Sequence, residues 1–188
     1  MDFFSYFSFL SSIILALGIT RLFSGIGTIL ERRGQVKLYW VHLLWALNLL
    51  LFMVLEWWIL FRWRNQQDWN FYLYAFLLLS PAISFLLSVI LFPSNQDDLN
   101  FKAHYYRNRI WFFSIAALLP PLDAADTLLK GYAHFQAQGP FYVIFLSIVF
   151  ILTIFGAILQ NERYHAFFSI FFLAYMLAFI GVNLNILA

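Results

Sequence analysis

Six apolar stretches, each long enough to cross a bilayer as a helix, dominate this sequence. They cover residues 3–30, 38–61, 71–92, 110–129, 141–159 and 166–187. A helix that crosses the hydrocarbon core needs about 20 predominantly apolar residues. The connectors between the stretches are polar and too short to form a soluble domain. The sequence therefore predicts an all-α, polytopic integral membrane protein, a six-transmembrane-helix bundle with short loops in which residues 1–188 form a single domain.

Composition excludes several other classes of protein. Hydrophobic residues make up 63% of the chain and charged residues 11%, whereas soluble domains have roughly 25% charged residues. A soluble fold of this size could not bury so much apolar surface. Disordered proteins, nucleic-acid-binding proteins and secreted disulfide scaffolds are also excluded. The chain has no cysteine, which removes thiolate metal sites, cysteine nucleophiles and iron–sulfur clusters.

The distribution of lysine and arginine predicts an orientation. The first stretch follows Met-Asp without a basic segment, so we expect a retained helix rather than a signal peptide. Seven basic residues lie in the first, third and fifth loops and three lie on the other side. Because basic loops stay in the cytoplasm, both termini are predicted to be extracytoplasmic. A plasma membrane or a bacterial inner membrane is the expected location.

The first stretch carries a stripe of small residues. Ser11, Gly18 and Gly25 recur every seven positions, and small residues at this spacing let two helices approach closely. Since a chain of this size has few helices with which to enclose a pathway, we expect this surface to support a homo-oligomer. Arg21 lies on the same stripe and should point into the protein. It either binds a carboxylate or backbone carbonyls for structural reasons, or contacts an anion or substrate.

The second stretch carries a polar arc. At about 100° per residue, His42, Trp45, Asn48, Phe52 and Glu56 fall within roughly 120° of one another on a helix. One helix face therefore presents an imidazole, an amide and a carboxyl group in succession. Such a face is typical of a proton or cation route. It is equally compatible with a buried face whose polar groups are satisfied by neighbouring helices.

The fourth stretch combines two prolines with two carboxyl groups. Kinks are predicted at Pro81, Pro120 and Pro121. Asp123 and Asp126 lie three residues apart, hence on one face, and Lys130 follows four residues later. Freed carbonyls and carboxylates are ligands that a hard cation prefers, and the same carboxyl groups could carry protons. The alternative is a simple kink near the membrane boundary with an interfacial Asp126–Lys130 pair.

Cofactor and enzyme hypotheses have weaker support in the sequence. His42, His104 and His165 lie near the starts of the even-numbered stretches and could converge on a haem, but none lies deep in a stretch. One Asp-x-x-Asp pair is too little for a magnesium-dependent lipid-modifying enzyme, and no catalytic motif is present. We therefore predict no haem, no divalent cation, no metal ligand and no catalytic residue.

Three functions remain, in order of preference. The first is a channel or transporter for a small cation or proton, with the bilayer and a second copy as the other partners. Its expected residues are Glu56, Asp123, Asp126, Asn48, His42 and Arg21. The three acidic residues would gather the cation at the outer side, the asparagine and histidine would continue the route inward, and the arginine would fix or gate it. The second is a non-catalytic sensor, scaffold or accessory subunit, and the third is an intramembrane lipid-modifying enzyme.

Overall fold

A computed structural model describes residues 2–93 and 100–183. Apart from a 3₁₀ turn at Phe61–Trp63 and an isolated bridge between Lys37 and Asn100, the regular structure of these residues is α-helical. The helices are α1 (Phe3–Glu31), α2 (Trp40–Leu60), α3 (Phe71–Leu77), α4 (Leu79–Leu91), α5 (Phe101–Ala116), α6 (Leu119–Leu129), α7 (Tyr132–Ala137), α8 (Gly139–Ile158) and α9 (Glu162–Asn183). Six helical segments are long and apolar enough to cross a membrane. The predicted six-helix membrane bundle is confirmed; residues 184–187 of the last predicted stretch lie outside the described residues.

Prolines divide two of the six segments. α3 ends at Leu77, four residues before Pro81, and α5 ends at Ala116, four residues before Pro120. Because proline has no N–H and its ring collides with the carbonyl four residues earlier, a regular helix cannot continue through these points. The third segment therefore consists of α3 and α4, and the fourth consists of α5 and α6.

The fourth segment begins earlier than its apolar pattern predicts. α5 starts at Phe101, whereas the predicted stretch starts at residue 110. The side chain of Asn100 accepts a hydrogen bond from the backbone N–H of Ala103 at 3.1 Å, which is the usual way to satisfy the first turn of a helix. The polar residues that follow are therefore part of the helix and not of the connector.

α2 lies at the centre of the bundle. It packs against α1, α4 and α9, while α5 packs against α4 and α8, and α6 packs against α8. We call the end of the bundle near Asp2 and Lys130 the N-terminal end, and the end near Glu31 and Phe101 the opposite end.

The small-residue stripe of α1 is used inside the chain. Ser11, Gly18 and Gly25 are all buried. A Cβ atom at Gly18 would lie 2.6 Å from Met53 Cε, and one at Gly25 would lie 2.3 Å from the ring of Phe92. The stripe thus lets α1 approach α2 and the end of α4, so it leaves no free surface for a second copy. A homo-oligomer stays a prediction that would need another surface.

Candidate functional site

A cavity of about 250 Å³ lies between α2, α4, α6, α8 and α9. Its wall is mostly apolar and rich in aromatic rings. Its ionisable side chains are Glu56, Arg62, Asp123, Asp126, Lys130, His134, Tyr142 and Tyr175. Arg62 and Asp123 are exposed and form the rim at the N-terminal end. Three of the six residues expected for a cation pathway therefore share one cavity, namely the three carboxyl groups.

Glu56 is the carboxyl group in the α2 wall of the cavity. Its Oε2 accepts a hydrogen bond from the hydroxyl of Ser84 at 2.8 Å, and the hydroxyl of Ser80 also lies close to the carboxyl. Its Oε1 is buried and has no hydrogen-bond partner among the described residues. A buried carboxylate without a counter-charge is strongly unfavourable. The group therefore requires either a proton or a bound cation.

Asp126 already has its own cation. Lys130 forms an ion pair with Oδ2, and the indole N–H of Trp63 donates to Oδ1 at 3.0 Å. The Lys130 ammonium also lies 5.1 Å from the centre of the Trp63 ring. The side chains of Lys130 and Asp126 are 11% and 21% exposed, so the pair is more enclosed than an interfacial pair would be.

Asp123 is held by a tyrosine of α8. The hydroxyl of Tyr142 lies 2.8 Å from Asp123 Oδ2 and 2.8 Å from the hydroxyl of Thr127. A carboxylate can only accept, so Tyr142 donates to it. Sequence reasoning missed Tyr142 and Trp63 as partners of the two aspartates. Both contacts join different helices, and no spacing along the chain indicates them.

With all three carboxyl groups ionised, the cavity would carry one more negative charge than positive. Three carboxyl groups face two permanent cations, Arg62 and Lys130. The remaining basic group is His134, in the short helix α7. Burial lowers the pKa of His134, with further contributions from Lys130 and Arg62, so its imidazole is neutral at pH 7. With Glu56 ionised, this charge balance would favour a cation over an anion.

An aromatic floor closes the cavity toward the opposite end. It consists of Trp45 and the rings of Phe112, Phe113, Phe168 and Phe172, all of which line the cavity. The ring centre of Trp45 lies between 5.1 and 5.8 Å from the centres of the four phenyl rings. Tilted and edge-on contacts at such distances are favourable for aromatic pairs. The floor is thus a layer of mutually packed aromatic rings.

Asn48 and His42 lie outside the cavity lining. The amide nitrogen of Asn48 donates to the carbonyl of Ser169 at 2.9 Å and so links α2 to α9. His42 lies about one turn beyond Trp45 and is fully buried. Its place on the far side of the floor separates it from the three carboxyl groups.

Three side chains satisfy the end of α4. His104 donates to the carbonyl of Ile90 at 3.1 Å, and His42 donates to that of Leu91 at 2.7 Å. Arg21 donates to the carbonyls of Phe92 and Pro93, just beyond the helix, at 3.0 and 3.1 Å. The last carbonyls of a helix lack partners within it and attract positive charge. We call this arrangement the α4 carbonyl cluster.

The third histidine also binds the backbone. His165 donates its Nε2–H to the carbonyl of Leu159 at 2.9 Å, and its Nδ1 accepts from the hydroxyl of Tyr105 at 2.9 Å. Within residues 2–93 and 100–183, no group of three or more histidine, aspartate or glutamate side chains is arranged to hold a metal ion. His42 and His104 are neighbours, with ring centres 6.5 Å apart, whereas His165 lies against Tyr105.

Comparison with protein-family models, with curated proteins and with solved structures finds no match to this chain. Fold and cavity together define the class: a multi-pass helical membrane protein with a carboxyl-lined cavity that is closed at one end by aromatic rings.

Proposed function

We propose that this protein is a carrier for a small cation, which exchanges with a proton at Glu56. The observation that carries the proposal is that Glu56 lines the cavity and that its buried Oε1 has no hydrogen-bond partner among the described residues. With a cation bound, the carboxylate is neutralised by that cation. Without one, it takes up a proton from the aqueous side. Each cation that enters thus releases one proton, and the charge of the cavity stays constant.

A carrier fits the cavity better than a channel does. A channel needs a continuous route, and the aromatic floor closes the cavity between Glu56 and His42. Carriers bind their substrate in a closed-ended site and then expose it to the other side, often beside interrupted helices. Both interrupted segments border this cavity, because Ser80 and Pro120 are part of its wall. The prolines therefore lie where a change of helix angle would open or close the site.

The basic loops support an orientation for this carrier. If the first, third and fifth loops are cytoplasmic, both termini and the mouth of the cavity face the outside of a plasma membrane or a bacterial inner membrane. The carrier would then receive its cation from the outside. Arg21 would fix the inner end of α4 rather than contact the cation, because it is bound to the α4 carbonyl cluster.

The test is cation-driven proton movement in proteoliposomes, read with a pH-sensitive dye. We expect Glu56→Gln to reduce the rate at least about tenfold, since the variant can no longer carry a proton or balance a cation. Glu31→Gln is the matched control, because Glu31 is exposed at the end of α1, and it should transport like the parent protein. A folded parent protein that moves protons no faster than empty liposomes, for any cation supplied, would contradict the proposal.

The second candidate is a non-catalytic sensor, scaffold or accessory subunit. It is favoured by the paired charges of Asp126 and Lys130, which join α6 to the end of α2 through Trp63. It predicts a folded protein without transport, and the same liposome assay separates the two. A lipid-modifying enzyme has less support, because Asp123 and Asp126 are already engaged by protein donors.

A further inference from the structure

We infer that the ligand of the cavity is an amphipathic organic cation, a substituted ammonium group joined to a small aromatic or branched apolar body. This inference rests on the proposed function and names the class of substrate. It follows from what surrounds Glu56, from the shape of the cavity and from the partners of the other carboxyl groups.

An inorganic cation would find too few oxygen ligands. Hard cations such as Ca²⁺ take six to eight oxygen ligands, and Mg²⁺ demands a near-octahedral set. The side-chain oxygen atoms that contact the Glu56 carboxyl group among the described residues are the hydroxyls of Ser80 and Ser84. The carboxyl groups of Asp123 and Asp126 are bound to Tyr142 and to Lys130. The cavity therefore offers little to replace the hydration shell of a small ion.

An organic cation would find favourable contacts throughout. A substituted ammonium has lost most of its hydration, and aromatic faces attract it. Phe52 lies one turn from Glu56 on α2 and lines the same wall, so a cation at Glu56 is within reach of its ring. The apolar body would lie against the aromatic floor. A volume of about 250 Å³ is just below the range of typical ligand pockets, roughly 300–1,000 Å³. It therefore suits a ligand no larger than one ring with a substituted ammonium.

Binding should release a proton, because ligand and proton compete for Glu56. The other charged or titratable groups that face the cavity come from the end of α2 and from α6, α7, α8 and α9. They are Arg62, Asp123, Asp126, Lys130, His134, Tyr142 and Tyr175. Of the three carboxyl groups, only Glu56 lacks a donor for one of its buried oxygens among the described residues. Affinity should therefore fall as the pH is lowered.

The experiment is calorimetric titration of the full chain in nanodiscs with three matched probes. Benzyltrimethylammonium has the ring and the charge, tetramethylammonium has the charge alone, and neopentylbenzene has the same shape with carbon in place of the ammonium nitrogen. We expect benzyltrimethylammonium to bind at least about tenfold more tightly than the other two, as for a charge pair combined with ring contacts. Its binding should release a proton into the buffer.

Variants identify the groups that bind the probe. Glu56→Gln should weaken benzyltrimethylammonium at least about tenfold and abolish the proton release, whereas Glu31→Gln should change neither. Phe52→Leu keeps an apolar side chain but removes the ring. It should weaken benzyltrimethylammonium several-fold and leave the proton release intact, so it tests the inference even if Glu56→Gln fails to fold.

The outcomes separate the ligand class from the transport activity. If neopentylbenzene binds as tightly as benzyltrimethylammonium, or if tetramethylammonium or Na⁺ binds as tightly, the inferred ligand class is wrong. Flux of those small cations in liposomes would then still support a carrier. If benzyltrimethylammonium binds as expected but no cation crosses the liposome membrane, the ligand class holds and the proposed transport function fails.

Discussion

Replacement of Arg21 by methionine should lower the free energy of unfolding by about 2–4 kcal/mol. Arg21 donates to the carbonyls of Phe92 and Pro93, just beyond α4. Hydrogen bonds from a charged donor contribute about 1.5–3 kcal/mol each when buried, and this arginine is half-buried. Its loss leaves two carbonyls without these donors, beside a Phe92 side chain that is 2% exposed. The measurement is equilibrium unfolding of the purified protein by SDS in mixed micelles.

Arg33→Met is the control for that variant. Arg33 is exposed in the connector that follows α1, so its loss should change the free energy of unfolding by less than about 0.5 kcal/mol. Arg21→Lys should give an intermediate loss, because a single ammonium cannot reproduce the planar fork of the guanidinium. Equal stability of Arg21→Met and the parent protein would show that the α4 carbonyl cluster does not depend on the arginine.

Replacement of Gly25 by leucine should destabilise the bundle by about 3 kcal/mol or more, at the upper end of the range for an overpacked site. Even a single Cβ atom at this position would lie 2.3 Å from the ring of Phe92. That ring is 2% exposed and sits against His42, so it has little room to move. The expected result in the same SDS titration is an unfolding transition shifted far toward lower detergent fraction.

Gly27→Leu is the matched control on the same helix. A Cβ atom at Gly27 would meet no other atom within 4 Å, and leucine is a better helix former than glycine by about 0.5–1 kcal/mol. We therefore expect this variant to be as stable as the parent protein or slightly more stable. If the two leucine variants unfold at the same point, close packing of α1 against Phe92 does not contribute to stability.

Much of the architecture could be predicted from hydrophobic length and from proline. Pro81 and Pro120 each interrupt a segment, and in both cases the preceding helix ends four residues before the proline, as the clash with that carbonyl requires. The early start of α5 could not be read from apolar length, because Lys102, Arg107 and Arg109 lie within its helix. Membrane helices extend into the headgroup layer, where polar residues are no longer costly.

The short helix α7 was missed for a different reason. Its six residues, from Tyr132 to Ala137, are too few for a periodic pattern. The available signal was its glycines, since Gly131 and Gly139 flank the helix with φ values of +119° and +74°. Such positive values favour glycine, but the same residues also occur in loops without a helix.

In the candidate site, too, part could be predicted from the sequence and part depends on tertiary packing. Residue chemistry along the chain proposes Glu56, Asp123 and Asp126 as candidates, and the fold brings these three side chains to one cavity. The sequence could not separate them from Asn48 and His42. Helical spacing shows which residues share one face of a helix, but it does not show what that face packs against. Asn48 faces a backbone carbonyl of α9, and His42 faces one of α4. Only tertiary packing decides whether a polar side chain meets a cavity or the backbone of a neighbouring helix.

The central claim is a cavity beside Glu56 that opens at one end of the bundle only. Thiol labelling tests it most directly, since the chain has no cysteine of its own. Ser80 lines the cavity, whereas Ser88, two turns further along α4, is fully buried and outside the lining. In oriented membranes, Ser80→Cys should react with membrane-impermeant thiosulfonates from the N-terminal side alone. The reaction should be faster with a trimethylammonium thiosulfonate than with a sulfonate one. Bound benzyltrimethylammonium should protect the cysteine from labelling. Ser88→Cys should stay unreactive from both sides. Labelling of both cysteines at similar rates, or of Ser80→Cys from both sides alike, would contradict the account.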